Sequence, residues 1–234
     1  MIKAVVFDLD GLLVDSEPVW FRVRTEMFGR FGLTWTDENQ KSLMGRSTIA
    51  WIDYVDKKLA GRLPREAITQ ETLDGMIRQY KTGQVRVMPG GRDALEYCSG
   101  KFKLGMASGS PRVLIDAALE SNNWGGFFQE VLSSDEVAKG KPSPDVYLEV
   151  MKRLNVAPHE SAVVEDSGSG ILAGKASGAK VVAVPNEHLM PPSETLETAD
   201  IVIDSLASIA EAFESIERRD KRPQSLSRTS QRFL

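Results

Sequence analysis

The stretch KAVVFDLDG, residues 3–11, decides how the rest of the chain is interpreted. Its apolar first half, residues 3–7, predicts a buried β-strand. Two acidic residues, Asp8 and Asp10, follow directly where that strand ends. Carboxylates this close to each other repel, so a positively charged partner is expected beside them. The remaining sequence has to supply that partner.

The composition is typical of a globular protein, with 41% hydrophobic and 26% charged residues in a chain of 234. Cys98 is the single cysteine, which excludes a disulfide within the chain and favours a reducing compartment. No segment has the roughly 18 uncharged apolar residues that a membrane span requires. We therefore expect a cytoplasmic protein, or one from a similarly reducing organelle compartment, that has no membrane partner.

The charge is unevenly distributed along the chain. Residues 218–234 contain six basic residues and one acidic residue, although the net charge of the whole chain is −4. The preceding residues are therefore strongly acidic, and this argues against nucleic acid as a partner. The basic segment is rich in arginine and serine and lacks apolar periodicity, so it is predicted to be a disordered tail.

Five further short apolar runs predict strands, and helical stretches separate most of them. They are residues 104–107, 131–133, 162–164, 181–184 and 201–203. Continuous apolar runs of this kind are typical of parallel strands that helices cover on both faces. The predicted fold class is therefore α/β, with a doubly wound parallel sheet.

The segment between the first two strands differs from the rest. Residues 16–86 show helical periodicity and no convincing strand, and a crossover connection needs only a dozen or so residues. The periodic positions are Trp20, Val23, Met27 and Phe31, followed by Ile49, Ile52, Val55 and Leu59. Asp15 or Ser16 is expected to cap the first helix, with Pro18 in its first turn. We predict an inserted helical cap over 16–86, a core formed by 1–15 and 87–217, and a tail over 218–234.

Polar residues follow the predicted strands at their carboxyl ends, where open α/β sheets bind ligands. They are Asp8, Asp10, Ser108, Glu165 and Asp166, and Lys141 lies in the connection before the fourth strand. Four carboxylates in one crevice repel an anion unless a divalent cation neutralises them, and hard oxygen ligands select Mg²⁺. Mg²⁺ is therefore the predicted partner of the paired aspartates.

These groups together suit a phosphoryl group. Ser110 and Pro111 predict the cap and first residue of a helix, whose free N–H groups would face the space beside Ser108. Lys141 adds a compact positive charge. One carboxylate can attack phosphorus to form an aspartyl phosphate, and a second can transfer protons to and from the oxygens.

Four short motifs resemble those of the haloacid dehalogenase-like hydrolase superfamily, in order and in context. They are DLDG (8–11), ASGS (107–110), KP (141–142) and EDS (165–167). The segments DGLLVDSEP and MPGG, at the two ends of the predicted cap, extend the resemblance over most of the chain. It is similar to the subgroup with a helical cap after the first strand, which includes sugar-phosphate phosphatases and β-phosphoglucomutase. The resemblance implies a Rossmann-like core with an inserted cap.

The resemblance also assigns roles by position. Asp8 would be the nucleophile and Asp10 the general acid and base. Phosphate binding falls to Ser108, Gly109 and Lys141. The Mg²⁺ site falls to Asp8, Asp166, the carbonyl of Asp10 and Glu165, the last as a direct or water-bridged ligand. Caps of this kind supply specificity, which makes Arg46 a candidate for substrate contact, with Trp20 and Trp51 as possible pocket walls.

Other interpretations of the motifs fit less well. An EF-hand would need ligands where the chain has Leu12 and Val19. Residues 168–173, GSGILA, match a dinucleotide-binding pattern, but Glu165 and Asp166 just before them would repel a pyrophosphate. The glycines are expected to ease a tight turn from strand to helix instead.

The expected function is a monomeric, Mg²⁺-dependent phosphatase that acts on a small phosphorylated metabolite, a sugar phosphate, through an aspartyl phosphate. The nearest alternative is a phosphomutase resembling β-phosphoglucomutase. In those mutases a histidine of the first cap helix helps to govern the second aspartate, and this chain has Trp20 there, which favours hydrolysis.

Two other functions fit the residues less well. Dehalogenation is disfavoured, because dehalogenases of this superfamily do not keep the second aspartate and the metal-site acids. A non-catalytic sensor of phosphorylated metabolites, signalling through the basic tail, would have no need of a general acid.

Overall fold

A parallel β-sheet forms the centre of the computed structural model, which describes residues 1–43, 48–186 and 190–220. The strands are β1 (Ala4–Phe7), β2 (Val14–Asp15), β3 (Arg86–Val87), β4 (Lys103–Ser108), β5 (Glu130–Ser133), β6 (Ser161–Glu165), β7 (Lys180–Ala183) and β8 (Ile201–Val202). Six of them pair in parallel in the order β5-β4-β1-β6-β7-β8. The predicted α/β fold and its six parallel strands are confirmed.

Helices cover both faces of this sheet. The helices are α1 (Glu17–Gly29), α2 (Asp37–Lys41), α3 (Thr48–Leu59), α4 (Arg65–Lys81), α5 (Gly91–Ser99), α6 (Arg112–Asn122), α7 (Asp145–Arg153), α8 (Gly168–Ser177), α9 (Ser193–Leu196) and α10 (Ile209–Asp220). Val5 and Phe7 of β1 pack on the side of α5, α6 and α10, whereas Ala4 and Val6 pack on the side of α7 and α8. Since both faces are buried, the strand is a continuous apolar run instead of an alternating one.

Helices α1 to α4 lie in the segment predicted as the cap. The two short strands at its ends pair antiparallel, with Val14 opposite Val87 and Asp15 opposite Arg86, so the chain enters and leaves this segment side by side. A separate apolar cluster fills its interior: Met27, Phe28, Trp35, Leu43, Trp51, Val55, Leu59 and Ile68.

Two of three local expectations for the predicted cap need correction. Ile49, predicted on the apolar face of its helix, is 70% exposed, and Trp51 is buried in its place. Ser16 occupies the N-cap position of α1, but its side chain makes no capping hydrogen bond, because its hydroxyl points to Asp10 instead. Pro18 lies in the first turn, as expected.

The last helix, α10, runs through Asp220. The prediction of a disordered tail from residue 218 is therefore wrong for residues 218–220, which are helical. Residues 221–234 lie outside the described residues. In the part of the chain that the structure describes, none of the helices combines the length and the apolar character needed to span a bilayer.

Candidate active site

The predicted acidic residues meet at one edge of the sheet. Asp8 follows β1, and Asp166 follows the neighbouring strand β6, so both lie at carboxyl ends that the parallel pairing places side by side. They line a pocket together with Asp10, Lys141 and residues of helices α1, α2 and α3, which belong to the segment predicted as the cap. The topology of the sheet thus brings together residues that are more than 150 positions apart in sequence.

Lys141 lies at the centre of the buried charges. Its ammonium donates to Asp8 Oδ1 at 2.5 Å, to Glu165 Oε1 at 2.7 Å and to the Ala107 carbonyl at 2.9 Å. Its side chain is 8% exposed, that of Asp8 is also 8% exposed, and that of Glu165 is fully buried. A buried charge is tolerated only when it is paired and hydrogen-bonded, as here.

Glu165 is held from several sides. Its Oε1 also accepts a hydrogen bond from the Tyr147 hydroxyl at 2.7 Å, and its Oε2 accepts from the Ser167 N–H at 2.9 Å and the Ser167 hydroxyl at 3.0 Å. A Cβ at Gly170 would lie 1.7 Å from Oε1, so only glycine leaves room for this carboxylate. The glycine pattern of residues 168–173 therefore accommodates Glu165 and makes no dinucleotide-binding turn.

Lys141 alone does not neutralise the buried carboxylates of the site. Burial, together with Glu165 and Asp10, raises the pKa of Asp8 to about 8, although Lys141 lowers it. Burial, together with Glu165 and Asp8, holds the pKa of Asp166 well above its usual range. A divalent cation beside these groups would offset both effects.

The donor set fits such a cation. Carboxylate oxygens of Asp8, Glu165 and Asp166 lie within 4.8 Å of one another. Asp166 Oδ1 is buried and has no hydrogen-bond partner. The other oxygen, Oδ2, has room because Gly11 carries no side chain: a Cβ there would lie 2.2 Å from it, and the φ of +83° also favours glycine. An all-oxygen set with an unpaired buried carboxylate oxygen suits Mg²⁺.

Asp10 is oriented differently from the other acids. Its Oδ1 accepts from the Ser16 hydroxyl at 2.7 Å, and its Oδ2 accepts from the Ser110 hydroxyl at 2.7 Å and the Ser108 hydroxyl at 3.1 Å. Its side chain is not part of the carboxylate group described above. Ser16 precedes α1, so this hydrogen bond links the Asp10 carboxylate to the start of that helix.

The predicted phosphate-binding residues differ in whether they line the pocket. Gly109 lines the pocket, but Ser108 does not, because its hydroxyl is fully buried between Asp10 and the N–H of Ser110. Helix α6 begins at Arg112 with Pro111 as its N-cap, one residue later than predicted. Ser110 therefore binds Asp10 and does not cap the helix.

The structure describes two of the three residues that were predicted to contact the substrate from the cap. Trp20 and Trp51 both line the pocket and are at the same time buried in apolar clusters, so each serves as core and as pocket wall. Arg46 lies outside the described residues.

Sequence reasoning missed several polar residues of the pocket. Glu17, Arg24, Gln40 and Asn186 line it, and Asn186 donates to the Gly11 carbonyl at 2.7 Å. One signal was available for Arg24: it lies four residues after Trp20 and next to Val23, on the apolar face of its helix. Sequence reasoning also missed Tyr147, whose hydroxyl donates to Glu165.

Comparison with known proteins places the chain in a family. Residues 5–184 match the model of the haloacid dehalogenase-like hydrolases. The phosphorylated carbohydrates phosphatase of Thermotoga maritima is 31% identical over 178 residues, which cover 76% of this chain and 82% of that protein. The bifunctional riboflavin kinase/FMN phosphatase of Arabidopsis thaliana is 31% identical over 211 residues, or 88% of this chain; the chain spans about half of that relative, 54%.

A solved structure agrees with the fold. The putative β-phosphoglucomutase of Thermotoga maritima superposes with a TM-score of 0.75 at 28% identity, covering 92% of this chain and all of that one. The family match over most of the chain, the named phosphatases among its relatives and the four motifs at one pocket all agree. The chain therefore belongs to the haloacid dehalogenase-like hydrolases.

Proposed function

We propose that this protein is a Mg²⁺-dependent phosphatase that hydrolyses a phosphorylated, sugar-like metabolite through an aspartyl phosphate on Asp8. One observation carries the proposal: a buried lysine joins Asp8 to Glu165 beside the unpaired carboxylate oxygen of Asp166, at the floor of a pocket that the cap closes. Such an arrangement places an attacking carboxylate and positive charge where a phosphoryl group would enter.

Asp8 is the proposed nucleophile. Lys141 holds its Oδ1 in place and favours its ionised, nucleophilic form against the effect of burial. A carboxylate oxygen of Asp8 forms the new bond to phosphorus as the bond from phosphorus to the leaving oxygen breaks. The lysine charge also offsets part of the negative charge of the incoming phosphoryl group.

Asp10 is the proposed proton-transfer group. It would give a proton to the leaving oxygen and later remove one from the water that cleaves the aspartyl phosphate. For either step its carboxyl group exchanges the hydroxyls of Ser16 and Ser110 for the reacting oxygen. Because Ser16 begins the cap, we infer that movement of the cap and orientation of Asp10 are coupled.

Asp8, Asp166 and the carbonyl of Asp10 would hold the cation, with Glu165 acting through a water. Glu165 is assigned this outer position because Lys141, Tyr147 and Ser167 already occupy both of its oxygens. When bound, Mg²⁺ withdraws charge from the phosphoryl oxygens and orients them for attack.

The substrate class is inferred from the pocket and from the relatives. The pocket wall formed by Trp20 and Trp51 is apolar and aromatic, whereas its cap end also carries polar groups. The Thermotoga maritima relative is named for phosphorylated carbohydrates. A phosphate monoester with a hydroxylated, partly apolar leaving group fits these features.

The test is turnover by the purified chain across sugar phosphates, sugar-alcohol phosphates and nucleotides, with Mg²⁺ and with a chelator. Phosphate release is expected only with the metal. Asp8→Asn is expected to abolish release while leaving the circular dichroism spectrum unchanged, and Asp93→Asn, at an exposed position of α5, serves as the matched control. Absence of turnover across the panel would refute the proposal, and full activity of Asp8→Asn would refute the assigned nucleophile.

A phosphomutase is the second candidate, because a structure described as a putative β-phosphoglucomutase shares the fold at 28% identity. Trp20 argues for hydrolysis, since an indole cannot take a proton from Asp10 as a histidine at that position would. Product analysis separates the two reactions. Hydrolysis releases inorganic phosphate, whereas a mutase yields an isomeric sugar phosphate.

A further inference from the structure

Arg24 is an unusual residue for the interior of the cap. It is 5% exposed, and its guanidinium lies 4.7 Å from the ring centre of Trp20, 5.7 Å from that of Trp35 and 5.8 Å from that of Trp51. Burial lowers the pKa of Arg24 to about 10, although Glu17 raises it, so the side chain is charged at neutral pH. Three indole rings thus surround a cation that borders the pocket.

The hydrogen bonding of this guanidinium is incomplete. Nη1 donates to Gln40 Oε1 at 3.0 Å, but the buried Nε has no partner. Gln40 is itself fixed, because its Oε1 also accepts from Trp35 Nε1 at 3.0 Å and its Nε2 donates to Glu17 at 2.8 Å. Leaving a charged donor buried and unpaired costs free energy, which an acceptor oxygen in the pocket would recover.

The position of Arg24 indicates which part of a substrate would supply that acceptor oxygen. Arg24 comes from the helical segment α1 to α4, whereas the groups assigned to phosphoryl transfer, Asp8 and Lys141, come from the sheet and its connections, and all three line the same pocket. An oxygen that reaches Arg24 therefore belongs to the leaving group and not to the transferred phosphoryl group.

The charges at the cap end indicate an uncharged acceptor. Among the described residues that line this end, Glu17 is the one acid and Arg24 the one base, so their charges balance. A second phosphate or a carboxylate would face Glu17 as well as Arg24. A hydroxyl accepts from Arg24 without that repulsion, and the indoles of Trp20 and Trp51 can cover the carbon skeleton that carries it.

We propose that Arg24 is a specificity-determining residue that donates its Nε–H to a hydroxyl oxygen of an uncharged, polyhydroxylated leaving group. This inference rests on the proposed phosphatase function and assigns the part of the pocket that recognises the substrate. It selects phosphate monoesters of sugars or sugar alcohols over bisphosphates and phosphorylated acids.

The experiment compares two kinds of substrate. p-Nitrophenyl phosphate has no hydroxyl in its leaving group, whereas hexose and hexitol monophosphates do. Arg24→Met keeps an unbranched side chain among the indoles and removes the donor. Arg24→Lys keeps the charge but lacks the Nε–H. Arg22→Met, at an exposed position of the same helix, is the matched control.

We expect Arg24→Met and Arg24→Lys to lose about 10- to 100-fold in kcat/KM for the best hexose or hexitol phosphate, the value of a hydrogen bond from a charged donor. Their kcat/KM for p-nitrophenyl phosphate, which offers no such hydroxyl, should fall far less than that for the hexose or hexitol phosphate, and Arg22→Met should change neither value. Equal losses on both kinds of substrate, or no loss, would overturn the assignment while leaving the phosphatase function in place.

Two measurements on the unchanged protein remain decisive even where a variant fails to fold. Among monodeoxy analogues of the best substrate, one should be turned over about 10- to 100-fold less efficiently than its parent. Equal turnover of every analogue would overturn the proposal, as would preference for fructose 1,6-bisphosphate or phosphoglycolate. Failure to hydrolyse even p-nitrophenyl phosphate would instead count against the proposed function itself.

Discussion

Replacing Tyr147 with phenylalanine tests how firmly the buried charges of the site are held. Tyr147 is fully buried on α7, and its hydroxyl donates to Glu165 at 2.7 Å. The Lys141 ammonium lies 4.9 Å from the centre of the same ring. Phenylalanine keeps the ring, its packing and its contact with the ammonium, so the substitution removes a single hydrogen bond to a charged carboxylate.

The magnitude follows from the burial of that bond. A hydrogen bond to a charged group contributes about 1.5 to 3 kcal/mol to the free energy of unfolding. In a domain of this size each kcal/mol changes the melting temperature by about 2 to 4 °C. Tyr147→Phe is therefore expected to lower the melting temperature by about 3 to 12 °C. Activity should fall too, because Glu165 helps to fix Lys141 against Asp8.

The assay is thermal unfolding followed by circular dichroism, with denaturant titration as a second measure. Tyr97→Phe is the matched control, since its hydroxyl also pairs with a lysine, Lys101, at 3.0 Å and its ring also lies under that ammonium, but on the surface. Surface pairs contribute little, so this control should change stability by less than about 0.5 kcal/mol. Equal stability of the two variants would refute the argument that burial gives the Tyr147 bond its value.

Three further outcomes are expected. Gly170→Ala forces a Cβ onto the Glu165 carboxylate and should cost about 1 to 3 kcal/mol and most of the activity, whereas Gly126→Ala, with nothing within 4 Å, should not; equal melting curves would contradict this. Burial alone would raise the pKa of Asp200, but two lysines and a backbone N–H hold it below its usual value, so its contribution to stability is present at neutral pH and lost as the pH falls through that lowered pKa. The stability difference between the unchanged protein and Asp200→Asn should therefore narrow below about pH 4, and a constant difference from pH 7 to 2 would count against the pairing. Removing residues 221–234 should leave kcat and KM unchanged, and a large loss would show that they contribute to the site.

Much of the core and its chemistry was predictable from the sequence, and the physical reason is local. A parallel strand covered on both faces must be apolar along its whole length, so β1 and the other five strands of the sheet are visible as short runs. Charged residues directly after such runs must lie at the carboxyl edge of the sheet. That alone was enough to expect Asp8 and Asp166 in one pocket.

The interior of the cap was less predictable. Helical spacing predicted that Ile49 is buried, but Trp51 is buried and Ile49 is exposed. Both residues are apolar, and which of them faces the interior depends on the helices that pack against α3. For Arg24, the sequence shows Trp20 one helical turn away, but only the packing of the helices brings Trp35 and Trp51 to its guanidinium from outside its own helix.

Hydrogen-bond partners depended on the tertiary structure altogether. Ser16 and Ser110 have the sequence context of helix caps, yet both donate to Asp10, since folding brings a carboxylate within reach and a bond to a charged acceptor is the stronger one. Residue type and order were enough to predict the fold class, the family and the acids of the candidate site. The hydroxyls, aromatic rings and ammonium groups around those acids could not be predicted, because contacts between distant residues depend on how helices and strands pack.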